Sequence, residues 1–268
     1  MIRLLAVDMD GTCLTSKKRI TDRTMTALRQ ASEKGVIIVP ITGRSLDCLP
    51  RQLIGEDFYR YVITSNGARI IDVQSNKTLY SKLIPQKNAI AILLEGKRCG
   101  LGLTAHVKNQ NIIEGTSLYL KGRLLYKKDA KDAIRTKNVV NKIKELNGNV
   151  EEIQLFFFNE KAEKNARKIV KEAPELSASF GSIYVEIYSK DTSKGLAIRT
   201  LSGILGISKD EIMCIGNGEN DLTMFEESGV KIAVDNAEPC LKAKADLIVS
   251  SNNADGVAEA IEKFCLNV

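Results

Sequence analysis

Short runs of apolar residues, each closing on an acid, a glycine or a turn residue, recur at both ends of this chain. They constrain the fold more than any other feature. Residues 4–7 run straight into Asp8-Met9-Asp10-Gly11-Thr12, and similar runs cover 36–41, 61–64, 212–215, 230–234 and 246–249. They are shorter than typical helices and lack the alternation of a half-exposed strand. They therefore read as strands buried on both faces of a parallel sheet. Helical spacing fills the gaps. One helix starts at Thr21 or Asp22 and runs to about Lys34, with Met25, Leu28 and Ala31 three apart and Gly35 as its stop. Leu46, Leu49 and Leu53 mark a short one, and others cover 194–205, 221–227 and 257–264. Strand and helix in alternation predict an α/β protein with a doubly wound, Rossmann-like parallel-sheet core.

The middle of the chain has another character. Residues 84–187 carry long polar stretches and the single histidine, His106. Residues 153–158 are strongly β-like, and Phe156, Phe157 and Phe158 read as strand core. Further on, Ile183, Val185 and Ile187 alternate with Tyr184, Glu186 and Tyr188, the period of a half-exposed strand. An amphipathic helix over 162–173 lies between. The expected organisation is a core domain over 1–83, an inserted α+β domain over 84–187, and the rest of the core over 188–268.

A length of 268 residues suits such a core plus a smaller domain, and 44% hydrophobic with 27% charged residues suits a packed globule. The chain carries 39 Lys and Arg against 33 Asp and Glu, a net charge of +6 with no long basic run. That pattern argues against a nucleic-acid partner, which needs clustered charge, and suits an anionic substrate. Six cysteines form no CxxC pair and no zinc spacing, as in reduced, intracellular proteins. The N-terminal apolar run is too short for a signal peptide, and no stretch approaches the ~20 apolar residues of a membrane span. A cytoplasmic protein without a membrane partner is expected, as a monomer or homodimer.

Four segments carry candidate chemistry. Asp8 and Asp10 are two apart on extended backbone, so both carboxylates face one point at a strand's carboxyl end. Two acids so close call for a hard cation such as Mg²⁺, and together they can divide nucleophilic and acid–base work. Thr42-Gly43-Arg44 again follows a strand, and its hydroxyl and backbone N–H suit phosphate oxygens. Lys194 opens a helix, where its charge can offset a phosphoryl group. Gly216-Asn217-Gly218-Glu219-Asn220-Asp221 joins a strand to a helix with glycines around polar oxygens, a setting for metal and phosphate.

In this order, these clusters resemble the haloacid dehalogenase superfamily of phosphatases, in its Cof-type branch with a large α/β (C2B-type) cap. Ser65-Asn66-Gly67-Ala68, ahead of the insertion, is similar to a segment of that branch. The resemblance implies a Mg²⁺-dependent phosphomonoester hydrolase acting on small phosphorylated metabolites, such as sugar phosphates, through an aspartyl-phosphate. It implies Asp8 as nucleophile and metal ligand, and Asp10 as general acid then base with its carbonyl on the metal. Met9, Thr42, Gly43, Arg44, Asn66, Lys194 and Asn220 are implied around the phosphoryl group, and Asp221 at the metal. The inserted cap is implied to exclude water and set specificity. Asn217 departs from the pattern, since an Asp that ligates the metal is usual there. An amide offers an oxygen without charge, so a higher metal requirement is expected. A phosphomutase using the same intermediate, or a relative that binds phosphorylated ligands without turnover, are the alternatives.

Overall fold

The computed structural model describes residues 1–266. The buried runs assemble into an eight-stranded sheet. From edge to edge its strands are Leu247–Val249, Val230–Val234, Ile212–Gly216, Leu4–Asp8, Ile37–Ile41, Tyr61–Thr64, Arg69–Asp72 and Lys77–Ser81. The first six pair in parallel, with Leu4 opposite Ile212 on one side and Ile37 on the other. Arg69–Asp72 turns back antiparallel on Tyr61–Thr64. Leu4–Asp8, Tyr61–Thr64 and Ile212–Gly216 are buried along their whole length. Successive side chains point to opposite faces, so both faces of the sheet are covered.

Local chemistry sets the helix between the first two strands. Thr21, extended at φ −72° and ψ 158°, accepts the Thr24 N–H on its side chain and caps Asp22–Glu33. Gly35, at φ +87°, then takes the left-handed conformation that ends it. From the first strand the chain moves to Ile37–Ile41 and Tyr61–Thr64 on one side, while Ile212–Gly216 returns on the other. The carboxyl end of Leu4–Asp8 is therefore a topological switch point, where open α/β sheets leave a crevice.

The chain divides into two compact units. Among the described residues the first comprises 1–43, 52–80 and 193–266; the second comprises 44–51 and 81–192. These limits differ from the expected 84–187. The strand Tyr184–Ser189 belongs wholly to the second unit's sheet, and the first unit resumes only where Ser193 caps the next helix. Residues 44–51 go with the second unit because Arg44 pairs with Asp129 and Asp47 accepts the Asn111 N–H.

The second unit holds a six-stranded sheet in the order Leu176–Phe180, Tyr184–Ser189, Glu152–Phe156, Gly102–Val107, Gln110–Glu114, Ile134–Thr136. All its neighbours are antiparallel except the last pair. Helices Gln86–Arg98, Val139–Leu146 and Glu160–Lys171 supply Ile92, Leu93, Ile143 and Ile169 to a core shared with Leu103, Ile153, Leu155 and Val185. Of the three phenylalanines, Phe157 is buried in that core, while Phe158 is exposed under the Lys121 ammonium. Among the described residues no helix is long and apolar enough to cross a membrane.

Candidate active site

The buried charges Asp8, Lys194 and Asp221 of the first unit meet beside the carboxyl end of its first strand. Asp8 ends its strand and is buried, a position in which an isolated charge is costly. The compensating charge comes from Lys194, the first residue of helix Lys194–Leu205. That helix runs back against the following parallel strand, so its N-terminus lies at the same edge of the sheet as the end of the first strand. Ser193 caps it by accepting the Leu196 N–H at 3.0 Å. Lys194, only 2% exposed, places Nζ 2.6 Å from Asp8 Oδ1 and 2.7 Å from Asp221 Oδ1.

The electrostatics follow from this contact. Burial pushes the Asp8 carboxyl up to about 7; the Lys194 ammonium pulls against it, while Asp221 and Asp10 add to the rise. Burial also works against the charge on Lys194, but the carboxylates of Asp221 and Asp8 outweigh it and hold the ammonium above its ordinary range.

Asp221 anchors the loop after Ile212–Gly216. Its Oδ2 accepts the backbone N–H groups of Asn217 at 2.8 Å and Gly218 at 3.0 Å, while Oδ1 faces Lys194. Gly216 lacks a side chain for a reason: a Cβ there would lie 2.6 Å from Asp221 Oδ2. Asp221, expected among the metal donors, thus has Oδ2 on two backbone N–H groups and Oδ1 against the Lys194 ammonium.

Asn217 turns the other way, towards the first strand. One terminal atom of its amide sits 3.1 Å from Asp8 Oδ2, 3.0 Å from the Asp10 carbonyl oxygen and 2.8 Å from Thr12 Oγ1. A hard cation with oxygen ligands at about 2.1 Å sets neighbouring ligands about 3.0 Å apart. Asp8 Oδ2, the Asp10 carbonyl and an Asn217 oxygen fit that spacing. Among the described residues no group of three or more His, Cys, Asp or Glu side chains is placed to hold a metal. The candidate site relies instead on one carboxylate, one backbone carbonyl and one amide.

The remaining expected residues divide. Asp10 carries an ion pair to Lys18 at 2.8 Å and is partly exposed, an arrangement suited to proton transfer. Asn66 and Asn220 come together, Nδ2 of Asn220 donating to Oδ1 of Asn66 at 3.1 Å. Asn66 has a left-handed backbone (φ 54°, ψ 29°), and its N–H donates to the Thr42 carbonyl at 3.1 Å. That bond ties the turn after the third strand to Thr42, which is buried at the end of the second and adjoins Gly43. Met9, expected at the phosphoryl group through its backbone, is buried, and its N–H donates to the Ile41 carbonyl at 3.1 Å. Arg44, expected at the phosphate, sits in the second unit. Its guanidinium lies 2.9 Å from Asp129 and 4.7 Å from the centre of the Tyr126 ring. Thr12 and Lys18 are contributors that sequence reasoning did not single out. Thr12 lay inside the quoted motif without a role, and nothing distinguishes Lys18 among 39 basic residues.

A model of the haloacid dehalogenase-like hydrolase family matches residues 5–261. The chain is 31% identical over 283 aligned positions to a protein of Streptococcus pyogenes serotype M6, covering 99% of both. It is 28% identical to a phosphoglycolate phosphatase of Methanobrevibacter smithii, again over 99% of each. A solved haloacid dehalogenase-like hydrolase from Bacteroides thetaiotaomicron superposes with a TM-score of 0.86 at 25% identity, covering 98% of this chain and 99% of that one. The chain belongs to the haloacid dehalogenase-like hydrolases. Within that family it is a phosphatase of the Cof-type branch.

Proposed function

We propose that the protein is a Mg²⁺-dependent phosphomonoesterase that forms an aspartyl-phosphate on Asp8 and acts on a small phosphorylated metabolite such as a sugar phosphate. The observation that carries the reading is the buried Asp8–Lys194–Asp221 bridge at a switch point, with Asp10 two residues beyond the nucleophile. Lys194 favours the ionised form of Asp8, the form that attacks. An Asp8 oxygen bonds to phosphorus, the ester P–O bond breaks, and Asp10 gives its proton to the departing alcohol oxygen. Asp10, now a carboxylate, takes a proton from water as that water's oxygen attacks phosphorus. The bond to Asp8 breaks, and inorganic phosphate leaves with Asp8 restored.

Thr42, Gly43, Asn66, Lys194 and Asn220 surround the phosphoryl group in this reading. Asp8, the Asp10 carbonyl and Asn217 hold Mg²⁺, which supplies charge to offset the phosphoryl oxygens when bound. Arg44 serves the second unit as Asp129's partner rather than the phosphate. The second unit acts as the cap that selects the alcohol. Free cysteines at all six positions suit the cytoplasm, the proposed setting.

Phosphate release from p-nitrophenyl phosphate with excess Mg²⁺ tests the assignment. Asp8→Asn is expected to lower the rate by at least about 10³-fold. A variant releasing phosphate at the wild-type rate would overturn it.

A further inference from the structure

The amide of Asn217 is wedged between two surroundings of opposite demand. One terminal atom packs on Gly11, where an added Cβ would meet the Asn217 amide at 2.7 Å. The other projects into the corner formed by Asp8 Oδ2, the Asp10 carbonyl and the Thr12 hydroxyl, at 3.1, 3.0 and 2.8 Å. The carbonyl has no hydrogen to give, nor does the carboxylate when ionised. With the amide oxygen in the corner, three acceptors face one another and Thr12 supplies a single hydrogen bond. With the nitrogen there, the amide's two hydrogens are shared among the Asp8 carboxylate, the Asp10 carbonyl and the Thr12 hydroxyl, and the acceptors no longer face one another bare.

The two ends of a primary amide have nearly the same size, so exchanging them costs little packing. What decides the orientation is the charge in the corner. An oxygen-inward amide is favoured only when a cation lies among the acceptors; without one, the nitrogen belongs inside. We infer that Asn217 is a two-position amide that stands in for the metal. Its nitrogen holds Asp8 and the Asp10 carbonyl when the cation is absent, and it turns end for end to present oxygen when the cation binds. An aspartate at this place has only the second option, and without metal it adds a carboxylate beside Asp8. The inference rests on the cation site of the proposed function, but it concerns the chain's own residues and is measurable without turnover.

Two consequences are opposite in sign. The metal-free wild type is more stable than Asn217→Asp, because the corner is already hydrogen-bonded. The wild type also binds Mg²⁺ more weakly, because the cation must displace those bonds. If the oxygen-inward state is about a tenth of the metal-free population, apparent affinity falls about tenfold from this source alone. The missing carboxylate charge adds to that loss.

Full-length wild type and Asn217→Asp, compared in EDTA and across a Mg²⁺ titration, provide the test. Thermal midpoints and calorimetric Mg²⁺ binding are measured on both. The ¹⁵N side-chain amide signals of Asn217 in the wild type serve as a readout that needs no variant to fold. The expected result is a lower midpoint for Asn217→Asp in EDTA, a larger rise with Mg²⁺, and at least about tenfold tighter binding. The Asn217 amide protons should exchange slowly in EDTA and change environment as Mg²⁺ saturates. An equal or higher midpoint for the variant in EDTA, or an Asn217 signal unmoved by saturating Mg²⁺, overturns the two-position amide. Absence of Mg²⁺ binding by both proteins overturns it together with the cation site. Undiminished phosphate release by Asp8→Asn, by contrast, removes the proposed nucleophile and leaves the amide result standing.

Discussion

The two sheets of this molecule keep their polar residues in different places. In the first unit the parallel strands are buried on both faces, so polar groups gather where strands end: Asp8, Asn217 and Asp221, with Lys194 between the two carboxylates. In the second unit one face packs against helices through Leu103, Ile153, Leu155 and Val185. The alternate positions carry polar side chains along the strands instead. Thr104, Gln154 and Glu186 lie in one row, and His106 is opposite Glu152 in the next. Thr104 bonds Gln154 at 3.2 Å, and Gln154 bonds Glu152 at 2.9 Å. A parallel sheet buried on both faces keeps its polar groups at its rim, whereas the antiparallel sheet carries a row of buried polar side chains, Thr104, His106 and Glu152 among them, on alternate positions of its strands.

Burial acts on titratable groups in both units, and the outcome depends on which charges stand beside them. Lys194 lies between two carboxylates and keeps its proton more firmly than in water. His106, buried, has its pKa driven down to about 3. It is therefore neutral at ordinary pH, with its Nδ1 3.8 Å from Glu152 Oε1.

The largest effect should come from breaking the rim. Lys194→Met leaves the buried carboxylates of Asp8 and Asp221 facing each other, and urea unfolding should show a loss of about 3–5 kcal/mol. A loss below about 1 kcal/mol would mean that the charges of the first unit do not depend on one another as argued. Next is the second unit's own buried pair. Asp129→Ala strands the Arg44 guanidinium, which also donates to the Cys48 carbonyl, and should cost about 3 kcal/mol by the same measurement. An unchanged stability would show that residues 44–51 are held by something other than this pair.

The smallest effect is a slope. The folded-state pKa of His106 lies below the unfolded value of about 6.5, so the unfolded chain binds the extra proton first. Its contribution to stability is intact above about pH 6.5 and is lost as pH falls toward 3, at up to about 1.4 kcal/mol per pH unit. His106→Gln should flatten that slope between pH 6 and about 4, whatever it does to stability at neutral pH. An identical slope would show that His106 reaches solvent protons without unfolding.

Much of the first unit was legible because its signals are local. A strand buried on both faces is a continuous apolar run, and a capped helix announces itself with Thr21 at one end and Gly35 at the other. The second unit was read less fully. Its hairpin between Gly102–Val107 and Gln110–Glu114 turns through Lys108 and Asn109, both at positive φ (52° and 67°), without the glycine that usually marks such a turn. Helices Gln86–Arg98 and Val139–Leu146 also went unassigned in the long polar stretches of the middle region.

At the site, the residue types were readable and their allegiances were not. Asp8, Asp10, Lys194, Asn217 and Asp221 stand in motifs whose order along the chain is visible in the amino acids alone, since each follows a strand or opens a helix. Only the fold decided that Asp221 faces Lys194 and two backbone N–H groups, that Met9 gives its N–H to the sheet, and that Arg44 pairs with Asp129 within the second unit. Periodicity and capping act within a few residues, so a sequence can display them directly. The partner of a buried charge is chosen by distances of a few ångströms across segments far apart in the chain, and those exist only once the chain has packed.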